Sequence, residues 1–209
     1  MLQHLGAIGT VVDIGANRGQ FALVARHCYP SAHIISFEPL PDPAEVFRAV
    51  FNDDRTVVLH EAAIGPEESR CVMHVSGHDD SSSLLSISAL QSKIFPGTAE
   101  VSTIEVQVAP LENFIQPDDI IRPALLKLDV QGYEFEALVG SESLLSRFDF
   151  IYCECSFVEL YTGQKLAADV VDWLSSRGFE IKGMYNSTYD ADGQSVQADI
   201  LFQRSWLRV

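Results

Sequence analysis

Asp13, Gly15, Asn17 and Gly19 follow directly on the apolar run Thr10-Val11-Val12, so that a short strand ends in a carboxylate and a glycine-spaced turn opens a helix. Glycine admits positive φ and lets a ligand lie against bare backbone. The spacing is G-x-x-x-G, not the G-x-G-x-x-G that seats a pyrophosphate on a helix N-terminus. A carboxylate at Asp13, where a diphosphate would otherwise approach, suits a cationic or zwitterionic ligand. S-adenosylmethionine, with its sulfonium and amino acid tail, is such a ligand. Glu38 ends a second apolar run about 20 residues beyond the glycine turn, the spacing of a carboxylate that accepts both ribose hydroxyls. Dinucleotide enzymes share that acid, so Glu38 alone indicates an adenosine, and the glycine spacing must separate the two cofactor classes.

Methyl transfer from a sulfonium needs alignment and, for an alcohol acceptor, a base. Asp129 ends a later apolar run and is the first candidate; the same position would equally suit a helix cap or a cofactor-orienting acid. Lys127, two residues earlier, faces the same side of the strand and would pair with an acid, since an unpaired buried cation is costly. Glu154 occupies the matching place in the next apolar run, where burial would raise its pKa toward that of a useful base. His78, with His74, lies in a polar stretch and is either a flap proton carrier or a solvated loop residue. Asp79-Asp80 in a serine run lacks metal-ligand spacing, so no metal is expected.

The elements that would hold these residues alternate. Apolar helical stripes fall at 21–28 and about 44–51, strand-like runs at 33–38, 56–60, 124–130 and 148–155, a helix begins near Gly132, and an amphipathic helix carries Leu166, Val170, Trp173 and Leu174. Such alternation predicts a parallel sheet covered on both faces. Two runs at 178–185 and 196–203, joined by a turn-rich 186–195 too short for a helical crossover, should pair antiparallel. Residues from about 70 to 110 read as a β-hairpin insertion with a polar loop at its end, either a solvated loop or an active-site flap. Ala62, Ala63 and Ile64 either finish a buried strand or lie beside a bound ligand.

The 209 residues fit one domain, 1–209. A formal charge of −15, from 14 Lys+Arg against 29 Asp+Glu, opposes a phosphate backbone, so nucleic acid is not an expected partner. Four cysteines without C-x-x-C spacing, no signal peptide and no apolar run long enough for a bilayer lead to the expectation of a cytoplasmic protein away from membranes. Oligomeric state is not legible. Two rival readings stand beside methyl transfer: a nicotinamide-dependent oxidoreductase on the same type of sheet, and a non-catalytic cofactor-binding module.

Along nearly its whole length the chain resembles the FkbM-type family of S-adenosylmethionine-dependent methyltransferases. The residues that carry the resemblance are 12–21 (VDIGANRGQF), 36–39 (SFEP), 62–65 (AAIG), 81–84 (SSSL) and 126–134 (LKLDVQGYE), extended by Glu154 with Ser156, Leu160-Tyr161, Gly163-Gln164, Gly178-Phe179 and Gln197-Ala198-Asp199. The resemblance implies the class I methyltransferase fold: a Rossmann-like three-layer α/β sandwich with a mostly parallel seven-stranded sheet and an antiparallel last strand. It also implies methyl transfer to a hydroxyl of a sugar, a glycan or a polyketide-like small molecule. Carried over residue by residue, Asp13, Gly15, Asn17 and Gly19 would surround the methionine moiety, Glu38 the ribose, and Ala62, Ala63 and Ile64 the adenine. Asp129 would serve cofactor, acceptor or both. Nine residues precede the first strand, which sets the expectation that N-terminal acceptor-binding helices are absent.

Overall fold

The computed structural model describes residues 1–207. In chain order the elements are β1 (Thr10–Ile14), α1 (Gln20–Cys28), β2 (His33–Phe37), α2 (Pro41–Val50), β3 (Val57–His60), β4 (Ala63–Ile64), β5 (Ser69–Ser76), α3 (Ala89–Ile94), β6 (Glu100–Ala109), β7 (Ala124–Leu128), α4 (Glu134–Gly140), β8 (Phe150–Ser156), α5 (Ala167–Ser175), β9 (Phe179–Tyr189) and β10 (Ser195–Arg204). Seven strands form one sheet in the order β3-β2-β1-β7-β8-β10-β9. The first five pair in parallel, and β10 is antiparallel to both of its neighbours. This is the mixed α/β sheet expected from the alternation and from the short final connection. Positions 208 and 209, the end of the expected domain, lie outside the described residues.

All five residues of β1, and of β7 beside it, are buried, as strands covered on both faces must be. Their two side-chain sets serve two cores. Val12, Ile14, Leu126, Leu128, Ile151 and Cys153 pack under Ala137 and Leu138 of α4 and Val170 and Leu174 of α5. Val11, Ile34, Leu125 and Phe150 pack under Ala22 and Ala25 of α1 and Phe47 of α2. One helix layer therefore covers each face of the sheet.

The hairpin insertion has more structure than a polar loop. β5 and β6 pair antiparallel, β4 joins β6 to make a separate three-stranded sheet, and the connection holds the helix α3. Ser82 and Ser83 are buried in that connection, and His74 and Ser83 exchange backbone hydrogen bonds. The final hairpin also departs from expectation, because β9 continues to Tyr189. Asn186 sits there at φ +49° in a register shift that absorbs one extra residue, so the strand resumes beyond the position that reads as a turn.

Candidate active site

Chain order and sheet order diverge at β1 and β7. The chain first builds outward through β2 and β3, then returns to place β7 and β8 on the other side of β1. The crevice at the C-terminal ends of these strands is where ligands of open α/β sheets sit. A cavity of about 700 Å³ opens there. Gly15, Ala16 and Asn17 after β1, Glu38 after β2, Ala62 to Ile64, and Asp129 to Gln131 after β7 all line it.

Gly15 has φ +79°, and a Cβ on it would fall 1.9 Å from the carbonyl oxygen of Asp129, so only glycine lets the two strand ends approach. Gly19 has another task. It enters α1 at φ +91°, and a Cβ there would meet the rings of Phe51 and Phe47 at 2.8 and 3.0 Å. Gly19 is absent from the cavity lining and packs the turn against α2 instead.

Asp13 also lies behind the lining. It is fully buried on β1, directly opposite Lys127 on β7, and the two form an ion pair at 3.0 Å. Lys127 Nζ further donates to the Gly15 carbonyl at 2.7 Å and lies 3.8 Å from Asp129. Burial pulls the lysine pKa down, but the charges of Asp13 and Asp129 outweigh it and hold the ammonium above its ordinary value. The expectation of a direct ligand contact for Asp13 is therefore corrected by the geometry: its carboxylate fixes Lys127, and Lys127 fixes the turn.

Glu38 is 4% exposed and lines the cavity. Its Oε2 accepts from the Asn17 amide and its Oε1 from the Leu40 amide, each at 2.8 Å. Each oxygen keeps a further lone pair. Burial pushes the carboxyl up to about 7 against the pull of those two amides. Around it, Phe37, Ile64 and Leu128 supply buried apolar wall.

Asp129 is the most open acid of this group, its side chain 42% exposed. Gln131 binds it to its neighbour: Gln131 Nε2 donates to Asp129 Oδ1 at 2.8 Å and to Glu154 Oε2 at 2.9 Å. Glu134 supports the same turn by accepting from the Val130 and Gly132 amides. Glu154 itself does not line the cavity. It also accepts from Gln197 at 2.8 Å, and burial together with Asp129, Glu134 and Asp199 raises its pKa well above the carboxylate range. Asp129 and Glu154 are thus brought together, one at the cavity surface and one beneath it.

His78 is not brought to the cavity. Its ring packs beside Gly97, while His74 pairs with Glu100 at 2.6 Å. The insertion instead contributes Asp79, Asp80, Ser82 and Leu84 to the lining. It is tied across the opening by the ion pair of Arg18 with Asp79 at 2.5 Å, and by Tyr161, whose hydroxyl bonds the Ser81 carbonyl and Gln131 Oε1 at 3.0 and 2.8 Å. Among the described residues no group of three or more His, Cys, Asp or Glu is placed to hold a metal ion.

Sequence reasoning missed the far wall. Tyr152, Tyr185, Asn186 and Asp199 line the cavity, and Asp199 Oδ2 accepts from the Tyr152 hydroxyl at 2.7 Å and the Asn186 amide at 2.6 Å. Tyr152 was within reach, since it precedes Glu154 by two residues and so shares its face of β8. Asn186 reaches the wall through a bulge, for which the sequence carries no signal.

The described helices include none long and apolar enough to cross a membrane. Solved structures similar in shape include a precorrin-6y C5,15-methyltransferase from Geobacter metallireducens, with a TM-score of 0.50 and 13% identity over 97% of this chain and 84% of that one. Another is the Streptococcus pneumoniae protein Sp1610 in complex with S-adenosyl-L-methionine, with a TM-score of 0.53 and 11% identity over 100% and 72%. Both bear out the class I methyltransferase fold. By sequence, the chain is 27% identical to the 2-O-methyltransferase NoeI of Sinorhizobium fredii over 94% of its own length and 80% of the relative's. It is 28% identical to the hexuronic acid methyltransferase AglP of Haloferax volcanii over 68% and 54%. The methyltransferase FkbM domain matches residues 13–181, most of the chain, so this protein belongs to the FkbM methyltransferase family.

Proposed function

We propose that this chain is an S-adenosylmethionine-dependent O-methyltransferase acting on a hydroxyl of a sugar, a glycan or a polyketide-like small molecule. The observation that carries the reading is the convergence of the Gly15 turn, Glu38 and Asp129 on one cavity at the point where the sheet order reverses. The residues fit the cofactor: Glu38 has free lone pairs for two ribose hydroxyls, Phe37, Ile64 and Leu128 give an adenine apolar contact, and Asp129 suits the amino acid tail or the acceptor. Bound S-adenosylmethionine supplies a methyl carbon already activated toward in-line displacement by oxygen. The protein's own share is alignment and proton removal. Lys127 and Asp13 hold the turn, Glu38 the ribose, and Asp129 accepts the proton of the acceptor hydroxyl as the carbon–oxygen bond forms. Glu154, reached through Gln131, steadies the charge and position of Asp129.

The names of the Sinorhizobium and Haloferax relatives support oxygen as the methylated atom and a sugar as the type of acceptor. The net charge of −15 favours a small-molecule or glycan acceptor over nucleic acid. Titration calorimetry with S-adenosylhomocysteine and with NADH tests the cofactor half of the proposal. Micromolar binding of the first and none of the second is expected, and the reverse would make the chain a dinucleotide protein.

A further inference from the structure

The far wall of the cavity has the make-up of a carbohydrate subsite. The rings of Phe21 and Tyr152 stack at 6.1 Å with 20° between their planes, and Tyr185 leans on Tyr152 at 6.3 Å and 57°. All three line the cavity, so an apolar ring surface borders it on the side of α1 and β9. Polar groups stand beside those rings. Asp199 lies on β10 opposite Tyr185, and the bulge at Asn186 brings that side chain to the same carboxylate. Both donors converge on Oδ2, and among the described residues none donates to Oδ1. A carboxylate with an open oxygen, an amide beside it and an aromatic face suit the paired hydroxyls and the apolar ring face of a pyranose.

Asn186 sits at φ +49°, a left-handed conformation that asparagine tolerates better than most residues and that lets the bulge form here. Bulges beside active sites re-aim side chains, and this one aims an exposed strand residue into the cavity wall. Tyr185, Asn186 and Asp199 all fall beyond the stretch matched by the family domain, so the domain match assigns them no role.

The charge of the wall narrows the ligand further. Glu38, Asp79, Asp80, Asp129 and Asp199 all line the cavity. Lys127 is the one cationic side chain among the described lining residues, and it is committed to Asp13 and the Gly15 carbonyl. An acceptor bearing its own carboxylate would meet repulsion from these five acids that a neutral sugar does not.

We infer that Tyr152, Tyr185, Asn186 and Asp199 form the acceptor subsite, and that it takes an uncharged sugar through a pair of neighbouring hydroxyls in preference to a sugar acid. The inference rests on the O-methyltransferase reading and adds the class of acceptor and the residues that bind it.

The test is steady-state methyl transfer to matched aryl glycosides, a neutral hexoside and the corresponding hexuronide, by the wild type, Asp199→Asn and Asn186→Ala. S-adenosylhomocysteine affinity of each variant serves as the control for folding. The wild type should favour the neutral glycoside by about tenfold or more in kcat/KM. Both variants should raise KM for it about tenfold with S-adenosylhomocysteine affinity unchanged, and Asp199→Asn should narrow the gap between neutral and acidic acceptors. Asn186 is exposed, so its alanine variant keeps the test open if the half-buried carboxamide at position 199 disturbs folding. Preference for the hexuronide, or unchanged KM in both variants, would overturn the subsite while leaving O-methylation standing. Transfer only to a nitrogen or sulfur acceptor would overturn the underlying reading, and the subsite with it.

Discussion

Replacing Glu38 by glutamine isolates the cofactor half of the account. The wild-type carboxylate already accepts from two backbone amides, at 2.8 Å each, and has one lone pair per oxygen left for a ribose hydroxyl. Glutamine keeps one accepting oxygen and turns the other into a donor, so one ribose hydroxyl and one of the two backbone amides lose their acceptor, and the remaining bond to the ribose weakens. A hydrogen bond to a charged group contributes roughly 1.5–3 kcal/mol, which corresponds to a loss of about 10- to 150-fold in affinity. The wild type should also show a pH dependence that the variant lacks. Burial lifts the free carboxyl to about 7, whereas ribose hydroxyls donate to the ionised form. Binding therefore expels a proton, and affinity rises with pH: between pH 6 and 8 the wild-type Kd should fall about tenfold, the change expected for one group whose free pKa is about 7. Calorimetric titration of S-adenosylhomocysteine at pH 6, 7 and 8, with a thermal melt to verify folding, reads both effects. An unchanged Kd in folded Glu38→Gln, or a wild-type Kd indifferent to pH, would refute the ribose assignment.

Three further outcomes follow from the same geometry. Asp129→Asn should lower kcat by about 10²–10⁴-fold with a much smaller change in S-adenosylmethionine affinity, because it removes proton acceptance and keeps shape; Glu154→Gln, beneath the surface, should cost less, and near-normal single-turnover rates in Asp129→Asn would exclude it as the base. Lys127→Ala leaves Asp13 as a lone buried acid and should destabilise the fold by about 3–5 kcal/mol in urea unfolding, with Asp13→Asn combined with Lys127→Met recovering part of it; a shift no larger than a surface mutation gives would mean the pair is unimportant. In hydrogen exchange, residues 77–88 should be partly protected in the free protein and more so with cofactor and acceptor bound, while Arg18→Ala, which cuts the tie to Asp79, should speed exchange there; identical exchange in all three samples would deny the insertion any part in closing the site.

The strand ends were legible because apolar runs that stop at Gly15, Glu38 and Asp129 follow from period and turn chemistry alone. What those residues touch was less so. Asp13 reads as a ligand-facing acid until strand pairing sets it opposite Lys127, and register between β1 and β7 is a long-range property that local pattern does not encode. Gly19 shows the same ambiguity: a glycine that opens a helix can face a ligand or, as here, two phenylalanine rings of the next helix. His78 depends on how the insertion folds, and only the hairpin geometry shows Asp79 and Asp80 at the cavity in its place. The far wall was the least accessible, since it needs the crossing of β8, β9 and β10 and an asparagine bulge to assemble.

The most direct test of the central claim is incubation with S-adenosylmethionine carrying a deuterated methyl group and a panel of sugars and polyols, followed by mass spectrometry and NMR of the product. The labelled methyl should appear on an acceptor oxygen, as an ether, with one S-adenosylhomocysteine formed per transfer and with the yield abolished in Asp129→Asn combined with Glu38→Gln. Label carried to nitrogen, sulfur or carbon, or transfer to oxygen that survives in that double variant, would contradict it.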